Sequence, residues 1–234
     1  MDEHELEEHG KRVHADGDEE GSVAMKNLNS TEITWVHPFL DVLLHFVPSS
    51  ARTILDVGCG KGIVGALLRI YREPERTVGL DAFEPYLEFC RKSGSYDELI
   101  KHDLMEKSLP FDSDEFDMAT ALEVIEHLPK AEGIRMLEEL ERVSRRVVVS
   151  TPNRFFEQET YDDNRFQKHL SRWKVSDFVR RGYSVYGVGG LMVFGRELGP
   201  LSYILSRATL PFPKLSSTLL AIYPREARFR RHRD

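Results

Sequence analysis

Four acidic side chains, Asp56, Asp81, Asp103 and Glu123, stand at or just past the ends of short apolar runs. Carboxylates repeated at successive strand ends can accept hydrogen bonds from the hydroxyl and amine groups of one extended ligand. A carboxylate closing a second strand suits a ribose diol and repels a 2′-phosphate. Behind the first acid come three glycines at alternate positions, Gly58, Gly60 and Gly62, with Cys59 and Lys61 between them. A turn with so few Cβ atoms lets a ligand approach bare backbone N–H groups at a helix N-terminus. The chemistry implied is the holding of a nucleotide-like, partly charged ligand.

The elements that must position these groups follow from periodicity. Thr53–Val57 reads as a strand, and Ile63–Tyr71 as a helix with Ile63, Ala66, Leu67 and Ile70 on one face. Further strands are expected at Thr77–Leu80, Glu98–Lys101, Phe116–Thr120 and Val147–Ser150. Helices are expected at Pro85–Lys92 and Glu132–Val143. The alternation with short connections predicts an α/β fold with a doubly wound, mostly parallel sheet of seven strands. Tyr183–Val188 and Leu191–Gly195 flank Gly189-Gly190 and read as a closing hairpin, which makes a terminal strand antiparallel.

Four segments are expected. Residues 1–24 are an acidic tail, expected to be disordered, and residues 25–50 an N-terminal helical cover bearing Trp35. Residues 51–195 form the ligand-binding domain, and residues 196–234 an apolar extension with a basic end. Pro200, Pro211 and Pro213 break that extension, which reads as short helices. The net charge of −7 belongs to residues 1–20, which hold nine Asp/Glu and two Lys/Arg. The remaining chain is balanced, which argues against a dedicated nucleic-acid binder. Two cysteines, no apolar leader and no run of about 18 apolar residues point to a reduced, cytoplasmic protein without a disulfide framework. The four histidines up to and including His37 lack ligand spacing, and no metal is expected.

Two nucleotide motifs compete at the glycines. Gly60-Lys61-Gly62-Ile63-Val64-Gly65 fits the dinucleotide pattern G-x-G-x-x-G, with Asp81 placed 19 residues after Gly62. The ladder starts earlier, however, at Gly58, two residues after Asp56, and the closing hairpin departs from a second mononucleotide half. The P-loop pattern is absent.

Asp56-Val57-Gly58-Cys59-Gly60-Lys61-Gly62 resembles the D-x-G-x-G-x-G signature of class I S-adenosylmethionine-dependent methyltransferases. Val78–Asp81, His102-Asp103-Leu104, Phe116–Leu128 and Val147–Pro152 resemble that family's later strand ends, so the likeness covers roughly residues 50–195. It is similar in flavour to the small-molecule branch that includes quinone-biosynthesis enzymes. The resemblance implies a Rossmann-like methyltransferase with S-adenosylmethionine as cofactor. Its cofactor residues would be Asp56, Gly58, Cys59, Gly60 and Gly62, then Asp81 with Ala82, Asp103 with Leu104, and Glu123. Asp56 would reach the amino-acid ammonium, directly or through water, Asp81 the ribose, Asp103 and Leu104 the adenine, and Glu123 the neighbourhood of the sulfonium.

The acceptor is less legible. His127, His169 and Glu126 are candidate bases, needed only if the nucleophile must lose a proton. Asn153, Trp173 and Trp35 are candidate substrate contacts, with core packing the simpler role for each tryptophan. A small-molecule acceptor is expected, with RNA or protein methylation, or a regulator without catalysis, as alternatives. No nucleic-acid partner is expected. A peripheral membrane contact through 196–234 competes with a packed cap or a dimer contact, the simpler reading.

Overall fold

The computed structural model describes residues 40–224, apart from 107, 156, 159, 161, 194–195 and 198–208. The acidic tail, Trp35 and the basic end at 225–234 lie outside the described residues.

The strands are β1 Thr53–Val57, β2 Arg76–Asp81, β3 Glu98–Lys101, β4 Met118–Leu122, β5 Val147–Pro152, β6 Ser184–Val193, the two-residue β7 Arg196–Glu197 and β8 Ser216–Tyr223. The helices are α1 Leu40–Phe46, α2 Ile63–Tyr71, α3 Glu84–Ser93, α4 Lys130–Val143 and α5 Val175–Val179. The sheet runs β3-β2-β1-β4-β5-β8-β6-β7. Strands β1 to β5 pair in parallel, while β8 lies antiparallel between β5 and β6. The short β7 only extends the far edge, so seven strands carry the sheet.

The central strands are buried on both faces, with patterns such as iBBBB for β1 and BBBBi for β4. That explains their continuous apolar runs, since helices cover both sides of a parallel sheet. Leu55, Val57, Val78, Leu80, Ala119, Val147 and Val149 share one core with Met136, Leu137 and Leu140 of α4.

Three expectations need correction. The hairpin at Gly189-Gly190 does not form. Residues 184–193 are one strand, and the glycines make a bulge where the register to β8 shifts between Val188 and Leu191. Gly189 has φ +77° and the Gly190 amide donates to Ser217 Oγ at 2.8 Å, so the irregular backbone is paired off within the sheet. The partner strand comes from the segment read as short helices. Pro211 and Pro213 both precede Ser216, and the proline-free run that follows is free to take the ladder. The fourth strand also starts later than expected, at Met118, while Phe116 makes an isolated parallel bridge to Ser144.

Candidate functional site

The carboxyl ends of β1, β2 and β4 open on one cleft with about 640 Å³ of space, its mouth included. Of the expected residues, Gly58, Gly60, Asp81, Ala82, Asp103, Leu104 and Glu123 line it, and so does His127. Asp56, Cys59, Gly62 and His169 are not in its lining.

The glycine turn is locked onto β2. The amides of Gly58 and Cys59 donate to the Leu80 carbonyl at 2.7 and 3.0 Å. Gly58 has φ +70°, and a Cβ there would come within 2.4 Å of Val124 Cγ2. Only glycine meets both conditions. A Cβ at Gly60 would project into open space, so the backbone there is bare toward the cleft. The Gly60 amide donates to Asp81 Oδ2 at 2.9 Å and the Phe83 amide to Oδ1 at 2.8 Å. Asp81 therefore organises the turn and still faces the cleft. Burial pushes its pKa up, against the pull of these backbone donors.

Asp56 sits beneath the turn, 2% exposed. Tyr96 donates to its Oδ2 at 2.5 Å and Thr120 to its Oδ1 at 2.6 Å. The Tyr96 hydroxyl also accepts from the Gly65 amide at 3.1 Å, which ties α2 into the same network. Burial raises the Asp56 pKa to about 6, although both hydroxyls favour the charged form. The folded pKa lies above the ordinary carboxylate value of 3.8, so the protonated form carries the extra stability. That contribution is complete below pH 3.8 and is lost as pH rises through 6. A shift of this size corresponds to about 3 kcal/mol. Urea titrations of wild type and Asp56→Asn at pH 4 and pH 7.5 test this. The variant is expected to gain about 3 kcal/mol on wild type over that interval, and equal slopes would refute the assignment.

Glu123 follows β4 in a left-handed conformation, φ +54°. Its amide donates to Ser150 Oγ at 3.0 Å, and that hydroxyl donates to Glu123 Oε1 at 2.7 Å. Burial raises its pKa to about 7. Asp103 Oδ1 accepts the Met105 amide at 2.9 Å, an Asx turn, and Arg135 of α4 donates to the carbonyls of Leu104 and Met105. The rim loop after β3 is thereby fixed to the body.

The insertion after β5 closes the other side. Lys61 Nζ pairs with Asp162 at 2.9 Å, and Tyr86 donates to the same carboxylate at 3.1 Å. Asn164, Phe166 and Gln167 then line the cleft. The sequence reading did not single out these three or Met105 as site residues, while His102, Val124 and Leu128 lie in stretches that it named beside Asp103 and Glu123. His127 and His169 lie side by side, ring centroids 4.9 Å apart. Burial lowers the His127 pKa to about 4, which makes it a weak base at neutral pH. Asn153 donates to the carbonyls of Pro213 and Ser216, a structural clasp. Trp173 is a core residue, 1% exposed.

A doubly wound sheet with this strand order, a glycine turn after β1 and an acid closing β2 define a Rossmann-like nucleotide-cofactor site. Residues 55–147 match the family model described as a methyltransferase domain. Solved structures share the fold at low identity. A chain from the complex between the Haloferax volcanii Trm112 methyltransferase activator and a methyltransferase is 19% identical, with TM-score 0.56, over 88% of this chain and 95% of that one. A TehB-like SAM-dependent methyltransferase from Corynebacterium glutamicum is 17% identical, with TM-score 0.54, over 87% and 96%. The methyltransferase domain of bacterial CtHen1 is 24% identical, with TM-score 0.51, over 79% and 96%. Among curated proteins, none matches the sequence. Residues 55–147 thus carry a methyltransferase domain, and the protein is a methyltransferase that uses S-adenosylmethionine. Among the described residues no helix is long and apolar enough to cross a membrane.

Proposed function

We propose that the protein transfers the methyl group of S-adenosylmethionine to an oxygen of a small-molecule acceptor, in the branch that resembles quinone-biosynthesis enzymes. One observation carries the small-acceptor reading. The insertion folds back onto the glycine turn through Asp162, Lys61 and Tyr86, and walls the cleft with Asn164, Phe166 and Gln167. Apolar Val124, Leu128 and Phe166 suit a compact, partly apolar acceptor.

The cofactor supplies a methyl group on a positively charged sulfur, which leaves as a neutral thioether. The bare backbone at Gly60 fits its amino-acid end, and Asp81 would accept from its ribose hydroxyls. Leu104 would pack on the adenine beside Asp103. Glu123 would stand near the sulfonium, whose positive charge favours the ionised carboxylate. Asp56 holds the turn from beneath through Tyr96 and Thr120, within reach of the cofactor's ammonium through a water. Alignment of the in-line displacement is the chain's main task, and orientation of this kind supplies about 7–11 kcal/mol.

The test incubates the full chain with methyl-labelled donor and, in separate arms, a small-metabolite extract, total RNA and a protein extract. Label in an organic-extractable small molecule is the expected result, and label in RNA or protein alone overturns it. The RNA arm is included because the small RNA methyltransferase HEN1 shares the fold, at 24% identity and TM-score 0.52 over 24% of its length.

A further inference from the structure

Glu126 is 3% exposed, yet neither of its carboxylate oxygens has a hydrogen-bond partner. Buried polar atoms are almost always paired, and an unpaired carboxylate is costly whether charged or protonated. The buried Thr151 hydroxyl is the neighbour that faces it, outside hydrogen-bond geometry. One ligand atom from each of Glu126, His127 and His169 lies within 4.8 Å of the other two.

The backbone assembles this group deliberately. Ile125–His127 is a single 3-10 turn that follows β4. The Glu126 carbonyl accepts the amides of Leu170 and Ser171 at 2.8 and 3.0 Å, which brings His169 alongside His127. His127 Nδ1 faces the Lys168 carbonyl at 3.3 Å. A carbonyl only accepts, so Nδ1 carries the proton and Nε2 keeps its lone pair. Metal-ligating imidazoles are oriented in the same way, by a backbone carbonyl on the other ring nitrogen.

We propose that Glu126, His127 and His169 bind one divalent transition-series cation at the acceptor end of the cleft. Two imidazoles and a carboxylate suit Mn²⁺, Co²⁺ or Zn²⁺. Tetrahedral ligation at about 2.1 Å sets donor atoms about 3.4 Å apart, so loading draws the group together by up to about 1.4 Å. Side-chain rotation supplies that. Three protein ligands leave positions open for another donor. His127 belongs to the cleft wall, so an acceptor oxygen in the cleft can take one of them.

The use of the ion rests on the O-methylation reading; its binding does not. A cation-bound hydroxyl is more acidic, and its proton passes to solvent. The freed oxygen pair forms the O–CH₃ bond, while the S–CH₃ pair stays on sulfur and leaves a neutral thioether.

The full chain is titrated with Mn²⁺ by electron paramagnetic resonance and with Co²⁺ by visible absorption. One saturable ion per chain is expected, with melting shifted upward by Mn²⁺. Glu126→Gln, His127→Ala and His169→Ala are each expected to weaken binding at least tenfold and to lose the melting shift. Glu126→Gln, nearly isosteric, decides if an alanine variant loses its folded melt. No saturable binding by wild type overturns the proposal, as does undiminished binding in the variants. Bound ion without an O-methylated product would leave the site standing and remove only the acceptor reading.

Discussion

Asp81→Ala is expected to weaken S-adenosylmethionine binding at least a hundredfold. The carboxylate stands at the end of β2 with one oxygen on the Gly60 amide and the other on the Phe83 amide. Removing it leaves both donors unpaired at a half-buried position and releases the turn that must lie against the cofactor. It also removes the acceptor proposed for the ribose hydroxyls. Hydrogen bonds to a charged group contribute about 1.5–3 kcal/mol each. Two of them lost correspond to about 3 kcal/mol or more, a hundredfold in affinity. Asp81→Asn keeps the shape but turns an NH₂ group toward one of the two amides, and an intermediate loss is expected. Calorimetric titration with the donor measures both. A loss of tenfold or less in Asp81→Ala would show that this side chain only closes the turn.

The parts of the site that were legible are those whose signal is local. The glycine ladder behind Asp56 places three left-handed residues in sequence, Gly58, Gly60 and Gly62, and only backbone chemistry is needed to read them. Asp81 and Glu123 end strands whose apolar runs are continuous, so their place at the cleft follows from strand polarity. What was not legible depends on partners far away in the chain. The sequence places Asp56 at the turn but not the two hydroxyls that hold it there, those of Tyr96 and Thr120, 40 and 64 residues on. No spacing rule connects those positions.

The end of the sheet shows the same limit. Gly189-Gly190 between two apolar runs is a sound hairpin signal, yet β8 offers a longer partner and the glycines become a bulge. The strand pairing was decided by the competition between a local turn and a distant strand, which periodicity does not weigh. His127 and His169 were candidates one at a time. Their meeting with Glu126 depends on the Leu170 and Ser171 amides finding the Glu126 carbonyl. A reading that looks for ligands at fixed spacing passes over such a group.

That junction makes Trp173 the residue whose loss should cost the most stability. Trp173→Ala is expected to destabilise the fold by about 3–5 kcal/mol. The ring is 1% exposed and packs on Phe178, with centroids 5.5 Å apart. It fills the space over Gly133, where a Cβ would come within 2.5 Å of it. Its Nε1 donates to Ser171 Oγ at 2.9 Å and to the Ile125 carbonyl at 3.3 Å, and Lys130 Nζ lies 3.3 Å from the ring centroid. Trp173→Phe keeps most of the apolar contact and deletes the donor, so a smaller loss of about 1–3 kcal/mol is expected. Urea denaturation of the two variants separates packing from hydrogen bonding. The consequence reaches the site, because the indole anchors Ser171 and, through it, the stretch that holds His169 against His127. Trp173→Ala should therefore weaken Mn²⁺ binding even under conditions where the chain stays folded, while Trp173→Phe should retain most of it. A loss below 1 kcal/mol in Trp173→Ala would mean that residues 170–173 contribute little to the core, and the proposed cation site would then lack the rigid support its geometry requires.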